Sequence, residues 1–130
     1  MTSFERTMAA IQHMEPDRVP LFLLLSHYGA KEADISIKRY FSSPSLVAST
    51  QLRMKEKYRN DCLYAFSYGA AEVEAFGGEV VFVDDGPPNS GEPFIRSIEQ
   101  LSHLQLPVID QTPCLKRVLD TTAILRLEAG

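Results

Sequence analysis

Glu15-Pro16-Asp17-Arg18-Val19-Pro20-Leu21-Phe22-Leu23-Leu24-Leu25 decides how this chain is read. Pro16 and Pro20 bracket a rigid turn, because proline has no N–H to donate and disfavours helical backbone in the residue before it. The apolar run that follows has no polar alternation. Such a run reads as a strand covered on both faces, as in parallel sheets and α/β barrels. Upstream, Thr2 can cap a helix, with Glu5 completing a capping box, and Phe4, Met8 and Ile11 fall on one face at helical spacing. Helix, turn and buried strand together predict an α/β fold, with a parallel sheet and an α/β barrel both open at this point. A barrel of eight strand-helix units takes about 250 residues, so in that case the 130 residues here would be only its opening part.

The rest of the chain is read outward from that strand. Ser26-His27-Tyr28-Gly29 forms the turn that hands the first strand to its helix, and short helical turns follow over Lys31–Ala33 and Ser36–Phe41. Ser43-Pro44 is a helix start, cap residue then proline, and Val47, Met54 and Tyr58 keep one face apolar towards a basic end. Asp61 to Ser67 is a second strand, so strand, long helix and strand predict a right-handed, parallel βαβ unit. Ala70 to Phe76 is a short helix closed by Gly77 and Gly78, and Glu79 to Val83 a third strand. Asp84 to Gly91 is a long turn before a brief extended Phe94-Ile95, which suggests a hairpin. Ser97 with Gln100 makes another capping box, and Thr112-Pro113 opens a final helix. Its Leu115, Val118, Leu119, Ile124 and Leu125 need a partner surface that nothing else in the chain is expected to supply. The predicted organisation is one partial domain: lead-in 1–18, strand-helix units 19–78, hairpin-like insertion 79–96 and helical segment 97–130.

Composition narrows the function classes. Thirteen basic residues against seventeen acidic ones give a net charge of −4, and no Lys/Arg cluster could follow a phosphate backbone, so nucleic acid is not an expected partner. The apolar runs are far too short to span a bilayer and no basic segment precedes an apolar core at the N-terminus, so a cytoplasmic protein without membrane association is expected. Cys62 and Cys114 stand alone and far apart, which fits reduced thiols rather than a disulfide or Cys-x-x-Cys site.

Three segments carry a resemblance: Arg6-Thr7-Met8-Ala9-Ala10-Ile11 through Pro16-Asp17-Arg18-Val19-Pro20; Asn60-Asp61-Cys62-Leu63-Tyr64-Ala65-Phe66-Ser67 leading to Glu74-Ala75-Phe76-Gly77; and Glu79-Val80-Val81-Phe82 with its Gly-Pro turn. In order and spacing they resemble the uroporphyrinogen decarboxylase superfamily, which also contains methylcobamide:coenzyme M methyltransferases. The resemblance implies a TIM (β/α)8 barrel with a helical lead-in, of which this chain would be the N-terminal portion, and an active site at the carboxyl ends of the strands. Decarboxylases of this family carry a Met-Arg-Gln-Ala-Gly-Arg type segment after the first strand, whose arginines hold substrate carboxylates. The matching stretch here, Leu24-Leu25-Ser26-His27-Tyr28-Gly29-Ala30, has no arginine. They also place an aspartate in a Phe-Ser-Asp segment after the second strand, where this chain reads Phe66-Ser67-Tyr68.

Both departures favour the methyltransferase branch. For a full-length member that branch implies zinc, held by a His-x-Cys pair and a later Cys, together with a methylcorrinoid partner. His13, His27, His103, Cys62 and Cys114 have no ligand spacing, so this chain alone is expected to bind no metal or cofactor. The expected function is the N-terminal segment of a corrinoid-dependent methyltransferase, inactive in this length. Its partners would be a small-molecule thiol or a tetrapyrrole or corrinoid substrate and a corrinoid protein, and a homodimer is left open. A decarboxylase-like lyase and a stand-alone binding or assembly module are the alternatives.

Catalytic residues are not identified from sequence, but five pocket candidates are. His27 and Tyr28 either contact substrate at the barrel mouth or simply fill the turn. Tyr64, Phe66 and Tyr68 alternate along one strand, which gives either an aromatic wall for a planar ligand or ordinary core packing, with Tyr68, the last, expected to be accessible. Asp84 and Asp85, being adjacent, are read as solvated turn residues, and Asp17 and Arg18 as local fasteners of the turn.

Overall fold

The capping box at Thr2 forms in full. In the computed structural model, which describes residues 1–129, the Glu5 N–H donates to Thr2 Oγ1 at 3.2 Å and the Thr2 N–H to Glu5 Oε2 at 2.8 Å. Gly130, the last residue of the expected helical segment, lies outside the described residues. Helix α1 (Ser3–Ile11) ends well ahead of Pro16. Its apolar stripe is not its buried face: Phe4 and Ile11 are exposed, while Arg6 and Ala9 are buried. Burial of a guanidinium there follows from its carboxylate partners, described below.

Two short helices, α2 (Tyr28–Glu32) and α3 (Ile37–Ser42), precede the long α4 (Pro44–Tyr58). Ser36 caps α3 and Ser43 caps α4, with Pro44 in the first turn where its missing N–H costs nothing. Helix α5 (Ala71–Ala75) is followed by Gly77 at φ +88°, a left-handed position that glycine adopts without strain. After a hairpin come α6 (Ile98–Leu101) and α7 (Pro113–Ala129). Arg96 N–H, not Ser97, engages the Gln100 side chain, and Ser97 makes no capping bond, so the second predicted capping box does not form.

The predicted parallel ladder is also absent. Residues 21–25 and 61–67 are extended but form no strand pair, and among the described residues the only sheet is an antiparallel two-stranded one. It joins β1 (Val80–Val81) to β2 (Asn89–Ser90), Val80 opposite Ser90 and Val81 opposite Asn89. The hairpin therefore closes on Asn89-Ser90, inside the expected long turn, and not on Phe94-Ile95.

Side-chain amides take the place of the missing ladder. One main-chain bond joins the extended segments, Asp61 N–H to Leu21 O at 2.8 Å. Beyond it Asn60 accepts from Leu23 N–H at 2.9 Å and donates to Leu23 O at 3.4 Å. Gln51 of α4 then donates to Leu25 O at 3.2 Å and accepts from Tyr64 N–H at 3.3 Å. Leu21 meets Asp61 and Leu25 meets Tyr64 through one amide, so the two segments advance in the same direction. The first is not covered on both faces: Leu21, Leu23 and Leu25 are half-buried, whereas Phe22 and Leu24 are exposed, because no described element lies over them.

The core gathers beyond these segments. Tyr40, Phe41, Val47, Tyr68, Ala70 and Ala71 are buried together with Ala30 and Ile37. Edge-to-face contacts run from Tyr40 to Phe41 (4.9 Å), Phe41 to Tyr68 (5.4 Å) and Tyr68 to Phe82 (5.4 Å between centroids), a geometry the ring quadrupoles favour. The final helix does find a partner, contrary to expectation. Helix α7 packs on α4 and α5 and buries Cys114, Thr121 and Leu125 there, leaving Leu119 exposed.

Candidate functional site

His27 and Tyr28 stand where the first extended segment enters α2. An open cleft of about 580 Å³ is lined by both, by Lys31, and by Asp84, Asp85 and Pro87 from the hairpin turn. Ser26 Oγ lies 3.0 Å from His27 Nδ1, the ring packs edge-on to Phe41, and Nε2 is buried with no protein partner. Burial holds the imidazole below its ordinary pKa, so it is neutral at pH 7. Tyr28 is partly exposed and meets Tyr58 edge-on. Asp84 and Asp85 are exposed, and their position on the cleft rim is something their adjacency in sequence could not reveal.

Tyr64, Phe66 and Tyr68 do not form one wall. Tyr64 is half-buried, Phe66 is 46% exposed and Tyr68 is fully buried, so the residue expected to be accessible is the one sealed in the core. The cause is a polar clasp. The Tyr68 hydroxyl donates to Glu74, and Arg117 Nη2 donates to Tyr68 Oη at 3.1 Å and to Glu74 Oε1 at 3.2 Å. Burial, then the Glu74 carboxylate accepting its proton, pushes the phenol up to about 12. Helix α5 supplies Glu74 and α7 supplies Arg117, so three separate parts of the chain meet on one hydroxyl.

A second polar centre ties the lead-in to the rest. Arg6 Nε and Nη2 donate to the two oxygens of Asp17 at 2.6 and 2.8 Å, and Nη1 to Asp61 Oδ1 at 2.6 Å. Arg18 Nη2 and Ser3 Oγ reach the same Asp61 oxygen at 2.9 Å, and Leu21 N–H donates to Oδ2 at 2.8 Å. Burial opposes ionisation of Asp61, but the Leu21, Ser3 and Arg18 hydrogen bonds outweigh it and hold its carboxyl below the usual range. Asp17 is held lower still, chiefly by Arg6. Asp17 and Arg18 do fasten the turn, though the fastening is long-range. Arg6 and Asp61 were singled out in sequence only as parts of motifs, and no local pattern marks them, since Arg6 lies between Glu5 and Thr7 and Asp61 between Asn60 and Cys62.

The described residues do not fit a zinc site. None forms a group of three or more His, Cys, Asp or Glu side chains able to hold a metal ion. Cys114 is buried and donates to Ala71 O at 3.4 Å, and burial, then the Glu74 carboxylate, pushes its thiol up. No helix among the described residues is long and apolar enough to cross a membrane.

A lead-in helix, two co-directional extended segments joined by a long helix, and a hairpin before a closing helix define a helix-rich partial α/β unit. A family model for uroporphyrinogen decarboxylase (URO-D) matches residues 2–130, nearly the whole chain, and the chain belongs to that family. Neither the curated proteins nor the solved structures compared with it give a match.

Proposed function

We propose that this chain is the opening part of a (β/α)8-barrel enzyme of the uroporphyrinogen decarboxylase family, of the corrinoid-dependent methyltransferase type. The observation that carries the reading is the environment of Tyr68. At the position where the family's decarboxylases place an aspartate towards the pyrrole nitrogens, this chain has a buried phenol. Its hydroxyl is committed to Glu74 and Arg117 and has no carboxylate to offer a substrate. The turn after the first extended segment supports the same reading. It presents a neutral imidazole and a phenol, His27 and Tyr28, where arginines would be needed to hold a polycarboxylate.

In this reading His27 and Tyr28 line the mouth of the pocket, and the cleft they share with Asp84 and Asp85 admits a small-molecule thiol. Zinc, a methylcorrinoid and a corrinoid-carrying protein are the cofactor and partners implied. Zinc would be held by residues other than those described, and residues 1–130 alone would not transfer a methyl group.

The test uses the product of the whole gene that encodes this chain. Loaded with zinc and given methylcobalamin and a thiol, it should demethylate the cobalamin, and it should leave uroporphyrinogen III intact. Decarboxylation of uroporphyrinogen III, with methylcobalamin untouched, would overturn the methyltransferase reading and favour the lyase. Neither activity, together with specific capture of a protein partner, would favour a binding module.

A further inference from the structure

A smaller cavity, of about 290 Å³, lies apart from the His27 cleft, between α3, Tyr68, β1 and α7. Phe41, Tyr68, Val80 and Phe82 supply its apolar lining, and Lys38, Glu74 and Arg117 its charged groups. Tyr68 is sealed behind this lining and packs edge-to-face on both Phe41 and Phe82, so the two rings on either side of it are held in place before any ligand enters. Preorganisation of that kind lowers the cost of ordering the site when a ligand enters.

The charges are not balanced. Arg117 makes both of its side-chain hydrogen bonds through Nη2, leaving Nη1 and Nε without a protein acceptor among the described residues, and Nε is buried. A guanidinium carries five N–H donors; Nε, with no accessible surface, is closed to a ligand, but Nη1 keeps donors open for an acceptor in the cavity. Lys38 forms no ion pair among the described residues. Against these two cations the lining sets the single carboxylate of Glu74, which is already shared between Tyr68 and Arg117.

We propose that this cavity binds a small aromatic carboxylate, its ring against Phe41 and Phe82 and its carboxylate between Arg117 and Lys38. The volume sits at the lower bound of ligand pockets, about 300 Å³, which limits the occupant to roughly one ring. A carboxylate suits the planar guanidinium, and the ammonium adds charge without a geometric demand. The inference goes beyond the methyltransferase reading and does not depend on it.

The test titrates the 130-residue chain with benzoate, with benzamide as a neutral compound of similar shape, and with inorganic phosphate as an anion lacking a ring, by isothermal calorimetry. Saturable benzoate binding is expected, with benzamide and phosphate each about tenfold weaker or worse. Lys38→Glu changes an exposed residue with no partner, so the fold is retained, and benzoate binding should weaken by a similar factor or be lost. Benzoate that fails to saturate, benzamide or phosphate that binds as tightly as benzoate, or an unchanged affinity in Lys38→Glu would each overturn the proposal.

Discussion

Replacing Asp61 by Asn keeps the shape of the side chain and removes its charge, and the structure fixes what that should cost. The carboxylate is 1% exposed and accepts from Ser3, Arg6 and Arg18 on one oxygen and from Leu21 N–H on the other. An amide turned either way points an NH2 at one of those sets of donors. At the least, one backbone N–H loses its acceptor, at about 1–3 kcal/mol, and the bonds to two guanidinium groups lose their ionic part, at about 1.5–3 kcal/mol for a charged hydrogen bond. The sum, about 2.5–6 kcal/mol, brackets the usual cost of removing one partner of a buried ion pair, about 3–5 kcal/mol. Urea unfolding of the two proteins at pH 7 measures it, as a lower midpoint at unchanged slope. The sign with pH is also fixed. Asp61 ionises more readily folded than unfolded, so its contribution is present above about pH 4 and is lost as pH falls through the lower folded value. The penalty of Asp61→Asn should therefore shrink in acid. A loss below about 1 kcal/mol at pH 7, the worth of a surface pair, would refute the assignment of Asp61 as the pin that holds the lead-in.

Three further outcomes follow from other parts of the fold. Gln51→Leu leaves Leu25 O and Tyr64 N–H unpaired, so it should cost about 2–4 kcal/mol and speed hydrogen exchange at the Tyr64 amide, which NMR resolves. Gly29→Ala would place a Cβ 2.5 Å from Cζ of the fully buried Tyr40, and a loss of about 1–3 kcal/mol in thermal unfolding is expected. Burial lowers the His27 pKa in the fold, so the unfolded chain takes up the proton first. Stability should fall as pH drops below about 6.5, and His27→Gln should flatten that part of the profile.

What the sequence made legible was local chemistry. Thr2 with Glu5, Ser43 with Pro44, Thr112 with Pro113, and Gly77 each act on backbone a few residues away, and each marks a helix end where it was expected. Family membership was legible for a related reason, since its motifs are short and keep their order. The parallel ladder was not, because it depends on what else competes for the same backbone groups. Asn60 and Gln51 place amides between the segments, and nothing in a run of apolar residues announces an amide arriving from a helix. Tyr68 failed for the same reason. Its position at the end of the run suggested access, but Glu74, one short helix on, and Arg117, 49 residues on, hold its hydroxyl inward.

The central claim is that residues 21–25 and 61–67 run side by side in one direction, as the opening of a barrel requires. Scalar coupling across hydrogen bonds, in a uniformly 15N- and 13C-labelled sample, tests it most directly. A coupling should link the Asp61 amide nitrogen to the Leu21 carbonyl carbon, and another the Tyr64 amide nitrogen to the Gln51 side-chain carbonyl carbon. Coupling of the Asp61 amide to Leu25 in place of Leu21 would mean the segments run in opposite directions, and the account would fail there.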